Sequence, residues 1–126
     1  FNPFGTVLEF LPGDTGNFYI ADKEPESGWR VAVFRYTNKE IQKIECHPTS
    51  KESFEPLHGI TVLLVAEHET PEACHAFILD KPVVLAKGVW HQTLALTPEA
   101  QVKITENVEV ESVFYTYDKP KRVYLA

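Results

Sequence analysis

The chain has 126 residues, 44% of them hydrophobic, and 12 Lys and Arg against 18 Asp and Glu give a net charge of −6. This length predicts one domain, 1–126, large enough to bury a core without disulfides. The acidic balance argues against nucleic acid or an anionic membrane as a partner, because both require a basic surface. A small anionic substrate remains compatible with it, since one or two well-placed cations suffice.

The number of cysteines and the length of the apolar runs indicate in which cellular compartment the protein is expected. Two cysteines, Cys46 and Cys74, are too few for a disulfide scaffold, so we expect reduced thiols. No apolar run approaches the ~20 residues of a membrane-spanning helix. No signal peptide is visible. We therefore expect a cytoplasmic protein.

Short β-branched and aromatic runs alternate with turn-forming residues along the chain. None shows the i, i+3, i+4 spacing of an amphipathic helix. They predict nine or ten short strands, drawn from segments 6–11, 18–21, 29–37, 41–47, 54–57, 60–66, 73–79, 83–86, 88–97, 101–106 and 110–118. Strands and turns at such close spacing are typical of an all-β sandwich or barrel.

The first strong strand, 29–37, is apolar on both faces. Arg35 is in phase with Val31 and Val33 on one of these faces. Two interpretations stay open for it. It is either an arginine at a strand end that reaches solvent, or a cation directed into a cavity.

The segment 45–59 contains the residues best suited to chemistry. Glu45 and His47 are two apart on a predicted strand, so their side chains share a face. A carboxylate and an imidazole on one face can bind a metal together or work as base and acid. Glu52 follows across a polar turn, and His91 belongs to a later Gly-x-x-His segment. We predict that the two segments converge inside one barrel.

This order of acid-x-His, Glu and Gly-x-x-His resembles the two motifs of the cupin superfamily. Glu45 stands where that superfamily usually has the first histidine of a His-x-His pair. The resemblance implies a cupin-like double-stranded β-helix, or jelly-roll barrel, which grips a divalent metal such as Mn, Fe, Ni or Zn. The implied ligands are His47, Glu52 and His91. In the second motif, Ala86 and Ala95 replace the Pro and Asn that are common there.

A narrower resemblance runs from Phe1 to about Asp118. The opening FNPFGTVLE resembles that of the ureidoglycolate lyase family, once called ureidoglycolate hydrolase. Four further segments match the family in order: Glu-Cys-His-Pro, Phe-x-Pro-Leu-x-Gly, Ala-Phe-Ile and Gly-Val-Trp-His, at 45–48, 54–59, 76–78 and 88–91. The chain departs from the family at Cys46, Ala86 and Gln92, where an arginine and two histidines are usual.

The resemblance implies cleavage of ureidoglycolate to glyoxylate and urea, a carbon–nitrogen lyase reaction of allantoin degradation in purine catabolism. This cleavage needs a cation for the carboxylate, a base for the hydroxyl proton and an acid for the departing nitrogen. Glu45 or His47 is the predicted base, and His91 the proton donor or electrostatic partner. Four residues are predicted to bind the substrate: Arg35, Lys87, His75 and Tyr117.

Plainer interpretations remain for these residues. His47 at a strand end is often structural, and Glu52 in a polar turn is often solvated. His75 is either a satisfied barrel histidine or a pocket wall, and Tyr117 is either packed in the core or lines the pocket. Two other functions stay open: a non-catalytic or sensory cupin that binds a small ligand, and a metal-dependent cupin isomerase or dioxygenase. By analogy with other cupin-type barrels, we expect a homodimer.

Overall fold

The computed structural model describes residues 6 and 8–123, and these form two antiparallel five-stranded sheets. The ten strands, in chain order, are β1 (Phe18–Glu24), β2 (Trp29–Tyr36), β3 (Glu40–Cys46), β4 (Glu52–His58), β5 (Thr61–Ala66), β6 (His75–Ile78), β7 (Val83–Leu85), β8 (Trp90–Ala95), β9 (Ala100–Asn107) and β10 (Val113–Arg122). None of the described residues belongs to a helix long and apolar enough to cross a membrane. The predicted all-β class is confirmed.

The sheets are assembled from strands that are distant in sequence. Sheet A has the order β1-β2-β9-β4-β7, and sheet B has the order β10-β3-β8-β5-β6. From β2 onward the chain crosses between the sheets at almost every connection. This is the jelly-roll arrangement, and it lets two neighbouring segments of chain face each other across the interior.

One apolar core fills the space between the sheets. It draws Tyr36 and Phe54 from sheet A and Leu63 and Ala95 from sheet B. A second cluster covers the outer face of sheet B, and it includes Val62 and other residues: Ile44, Leu64, Trp90, Leu94 and Tyr117. The strand β5 supplies side chains to both clusters, so both of its faces are buried. This explains its uninterrupted apolar sequence.

The connection 67–74 closes over the outer face of sheet B. The His68 ring stacks on Trp90 with centroids 5.8 Å apart, and the indole nitrogen of Trp90 donates to the His68 carbonyl at 2.9 Å. The hydroxyl of Tyr117 donates to the carbonyl of Pro71 at 2.7 Å. Cys46 is buried in this layer, and both Cys46 and Cys74 are free thiols.

Two local predictions differ from the structure, and a third concerns residues that it mostly does not describe. No strand forms in the described part of 6–11, where the Asp14 amide donates to the Leu11 carbonyl in a turn. The strand β10 continues through Pro120 to Arg122, because its register shifts between Thr116 and Lys121 on an edge strand that tolerates proline. Most of the opening motif FNPFGTVLE, at 1–5 and 7, lies outside the described residues.

Candidate functional site

Two rows of paired residues face each other across the barrel interior. In sheet B, Glu45 on β3 is directly opposite His91 on β8. In sheet A, Glu52 on β4 is paired with Glu106 on β9, which is paired with Arg30 on β2. Directly paired residues project from the same face of a sheet. The rows therefore bring Glu45, Glu52 and His91 together, as predicted, and add two residues that the sequence analysis did not single out.

The Glu52 carboxylate lies between two imidazoles. Its Oε1 atom is 2.7 Å from Nε2 of His91 and 3.3 Å from Nε2 of His47. Glu52, His47 and His91 are only 5%, 6% and 4% exposed. The interpretation of Glu52 as a solvated turn residue is therefore wrong: β4 begins at Glu52 and directs the carboxylate inward.

Backbone carbonyls fix the orientation of both histidines. Nδ1 of His47 is 3.1 Å from the Glu111 carbonyl oxygen, and Nδ1 of His91 is 3.1 Å from that of Val89. A ring nitrogen that faces a carbonyl carries the proton, so Nδ1 is the donor in each ring. In the neutral ring the lone pair then lies on Nε2, which points toward Glu52.

Two further carboxylates lie at the edge of this trio. Oε1 of Glu45 is 4.0 Å from Nε2 of His91, and Oε1 of Glu106 is 3.9 Å from Nε2 of His47. The other oxygen of Glu106 accepts hydrogen bonds from Nη2 and Nε of Arg30, at 2.7 and 3.1 Å. A carboxylate as buried as Glu106 needs such a partner, because an uncompensated buried charge is strongly destabilising.

These contacts set the protonation states. Burial lowers the pKa of His47, but the hydrogen bond and charge of Glu52 outweigh burial and raise that pKa to about 9. Burial raises the pKa of Glu52, but the hydrogen bonds and charges of the two histidines outweigh it and lower that pKa. Burial and the charge of Glu52 raise the pKa of Glu106 to about 7, against the effect of Arg30. Near neutral pH, Glu52 is therefore ionised and His47 is cationic.

We expect the metal-free protein to lose stability as the pH rises from 6.5 to 9. The raised pKa of His47 means that its pairing with Glu52 stabilises the fold fully below pH 6.5 and no longer above about 9. The loss is on the order of 3 kcal/mol. The raised pKa of Glu106 acts in the same direction, mostly between pH 4.5 and 7. Urea unfolding in the presence of a chelator measures the slope, which His47→Gln should flatten above pH 6.5; an unchanged slope would contradict the assignment.

The cupin resemblance implies a divalent metal, and the residues fit one. With both rings neutral, three buried atoms of the imidazole and carboxylate groups have no hydrogen-bond partner among the described residues: Oε1 of Glu52, Nε2 of His91 and Oε1 of Glu106. Two sets among the described residues offer ligand atoms within 4.8 Å of one another, Glu45 with His47 and His91, and His47 with Glu52 and Glu106. Neither is the predicted trio of His47, Glu52 and His91, whose members are divided between the two sets. Imidazole nitrogens with carboxylate oxygens suit Mn, Fe, Ni or Zn. Either a cation or an additional ring proton would satisfy these atoms.

Arg35 is not brought to this cavity. Its Nη2 donates to the Asp14 carbonyl at 2.7 Å and its Nε to the Gly16 carbonyl at 3.1 Å. The guanidinium also lies 4.2 Å from the centroid of the Phe10 ring. Arg35 ties the loop before β1 to β2 and lines a separate cavity with Tyr36 and Glu99, so the prediction that it binds the substrate beside the two imidazoles is not supported by its position.

The other predicted substrate-binding residues also lie apart from the two imidazoles. Lys87 is exposed in the turn before β8. His75 is exposed on the edge strand β6 and is paired with Val65, one strand further from His91. Tyr117 is buried in the outer cluster of sheet B. The structure thus assembles Glu45, His47, Glu52 and His91 into one site, without the four predicted substrate-binding residues.

Two adjoining cavities flank the site and share the lining residues Phe18, Glu45 and Glu52; we call them the aromatic lobe and the polar lobe. The aromatic lobe, of about 190 Å³, is lined further by Asn17, Phe34, Phe54, His91, Gln92, Thr93 and Ile104. The polar lobe, of about 200 Å³, is lined further by Arg30, His47, Glu106, Val110 and Ser112. A small ligand can therefore contact chemically different walls on either side of Glu52.

Several solved structures have a fold similar to that of this chain. A structure of recombinant oxalate oxidase in complex with glycolate is 11% identical, covers 88% of this chain and 62% of that chain, and has a TM-score of 0.61. The capsular polysaccharide assembling protein CapF from Staphylococcus aureus is 20% identical, covering 84% and 30%, with a TM-score of 0.62. The Schizosaccharomyces pombe Cnp3 cupin domain is 15% identical, covering 73% and 64%, with a TM-score of 0.56. At such identities these likenesses establish the fold alone, and the predicted cupin fold is confirmed.

Sequence comparison defines the family. This chain spans 46% to 62% of the oxalate oxidase chains that it matches in structure. No curated protein sequence matches it significantly. The family model described as ureidoglycolate lyase matches residues 18–115, which include both histidine-bearing segments. The chain therefore belongs to the ureidoglycolate lyase family.

Proposed function

We propose that this protein is a cupin-type lyase that cleaves ureidoglycolate to glyoxylate and urea, or cleaves a related small carboxylate at the corresponding carbon–nitrogen bond. The observation that carries the proposal is the convergence of His47 and His91 on the buried carboxylate of Glu52, inside a cavity of this family's fold. The oxalate oxidase of similar fold is described in complex with glycolate. Glycolate is the 2-hydroxy carboxylate core of ureidoglycolate, which supports this class of substrate.

Protonation states assign the roles in this proposal. Glu45 lines both lobes with 32% of its side chain exposed, and it takes the proton of the substrate hydroxyl as the carbonyl forms. His47 is cationic near neutral pH and gives its proton to the nitrogen as the carbon–nitrogen bond breaks. The base role considered for His47 is thereby replaced by an acid role. Glu52 holds the cationic imidazole of His47 in place, and His91 lies directly opposite Glu45, with its Nε2 atom 4.0 Å from the Glu45 carboxylate.

A bound divalent cation would change this division of work. His47, Glu52 and Glu106 would hold the ion, which would supply Lewis-acid polarisation of a substrate oxygen. Glu45 would keep its position at the junction of the two lobes and its role toward the hydroxyl proton.

Release of glyoxylate and urea from racemic ureidoglycolate tests the proposal. The protein is assayed as purified without chelator, after chelation, and after readdition of Mn, Ni or Zn. We expect equimolar glyoxylate and urea in at least one of these forms, with loss of release in Glu45→Gln. If every form is inactive, the proposed function is wrong.

A second candidate function is a metal-dependent cupin isomerase or dioxygenase. Two ligand sets favour it, because Glu45 with His47 and His91, and His47 with Glu52 and Glu106, each place imidazole nitrogens and carboxylate oxygens within 4.8 Å of one another. Stoichiometric metal in the purified protein, together with absence of glyoxylate release in every form, would favour this alternative over the lyase.

A further inference from the structure

Arg30 occupies a distinctive position in the cavity. Among the described residues that line either lobe, it is the only permanent cation. Its side chain is 22% exposed, and its guanidinium lies 5.5 Å from the centroid of the Phe18 ring, at the boundary of the two lobes. It is thus held at the polar lobe while remaining accessible to a small molecule there.

The pairing with Glu106 leaves Arg30 able to bind a second anion. Both of its hydrogen bonds go to a single oxygen, Oε2 of Glu106, through Nε and Nη2. Guanidinium has five N–H donors in one plane. Nη1 has no hydrogen-bond partner among the described residues, so a carboxylate can approach that edge while the Glu106 contact persists.

The acidic side chains of the polar lobe mean that an anionic substrate can bind there only beside a cation. Glu45, Glu52 and Glu106 all line it and would repel a substrate carboxylate. An arginine fork binds a carboxylate through two charge-assisted hydrogen bonds, which a diffuse positive field cannot replace.

The aromatic lobe is suited to an uncharged group. Its walls include Phe34, Phe54 and Ile104, and no permanent cation lies among its described lining residues. The Thr93 hydroxyl is buried, with the residue 2% exposed, and it has no hydrogen-bond partner among the described residues. A planar amide or ureido group would contact the rings and bond to this hydroxyl, whereas a carboxylate there would lose its hydration without an ion pair.

We propose that Arg30 binds the substrate carboxylate in the polar lobe, and that the uncharged amide end of the substrate lies in the aromatic lobe. The reacting carbon is then placed between the lobes, next to the shared carboxylates of Glu45 and Glu52. The identity of the substrate rests on the proposed function. The claim that Arg30 selects a carboxylate does not.

Binding measurements separate the two claims, because they need no turnover. Glycolate and its uncharged analogue glycolamide are titrated into the metal-free protein by calorimetry or NMR. We expect Arg30→Gln to weaken glycolate binding at least tenfold and to change glycolamide binding less than twofold. Arg30→Lys keeps the charge but loses the fork, and it should give an intermediate loss. Arg35→Gln is the matched control and should bind glycolate like the wild type.

The double variant Arg30→Gln/Glu106→Gln guards against a folding defect, since it removes both charges of the pair, and it should show the same loss of glycolate binding. Unchanged glycolate affinity in a folded Arg30 variant, or no glycolate binding by the wild type, would overturn the inference. Arg30-dependent glycolate binding without any glyoxylate release would instead overturn the proposed function alone.

Discussion

Glu52→Gln is expected to lower kcat/KM for ureidoglycolate by about 10³-fold or more, with the fold retained. Glutamine has the same shape, but it is neutral, so it can neither keep His47 cationic nor offer a charged ligand to a metal. The contacts of Oε1 with both Nε2 atoms make this the most connected carboxylate of the site. Positioned acid–base groups contribute about 10²–10⁴-fold to rates, and this variant impairs more than one of them. Glyoxylate release under saturating and limiting substrate measures the effect.

Glu55→Gln is the control on the same strand. Glu55 lies three residues after Glu52 on β4, on the opposite face, where its carboxylate is 3.0 Å from Nζ of Lys103. Such a surface pair contributes little to stability, so we expect less than a twofold change in kcat/KM. Equal losses in the two variants would show that β4 matters for structure rather than through the Glu52 carboxylate.

Gly59→Ala is expected to destabilise the protein by about 3–5 kcal/mol. Gly59 ends β4 with φ of +69°, a conformation that costs other residues about 1–2 kcal/mol. A Cβ here would also collide with the carbonyl oxygen of Glu99 and with Oγ1 of Thr97, and would lie 3.0 Å from the Cα of Ala100. Backbone on the neighbouring turn would have to move, which explains why the Phe-x-Pro-Leu-x-Gly segment ends in glycine. Urea unfolding gives the change in the free energy of unfolding.

Gly28→Ala separates the two causes. Gly28 has a similar φ of +78°, but nothing lies within 4 Å of the position of its Cβ. It should therefore lose only about 1 kcal/mol, the conformational part. If both variants lose the same amount, the close approach at Gly59 has no energetic consequence.

The fold was accessible from sequence because its signals are local. Alternating apolar residues and frequent turn formers predict short strands without reference to tertiary structure. The continuous apolar run of β5 indicates a strand covered on both sides, and the structure buries both of its faces. The extent of β10 was not predictable, because Pro120 normally ends a strand and only the register shift beside β3 accommodates it.

The site was predictable only in part, because local sequence signals do not determine how distant strands pair. Glu45 and His47 are two apart on one strand, so their common face follows from local geometry. Glu106 and Arg30 each continue an inward-facing apolar row, after Ile104 on β9 and before Ala32 on β2. That pattern is a usable signal for both. Their contact, however, depends on the register between β2 and β9, which neither segment encodes alone.

The functional side chains lie on five strands, β2, β3, β4, β8 and β9, or, for His47, directly after β3, and they extend in sequence from Arg30 to Glu106. A nascent polypeptide that ends before β9 lacks Glu106, the residue that is paired with both Arg30 and Glu52. A ligand that uses both lobes therefore cannot act as a template for early folding and can stabilise only the finished barrel. During synthesis, the pairing of β9 with β2 and β4 must thus precede the binding of any such ligand.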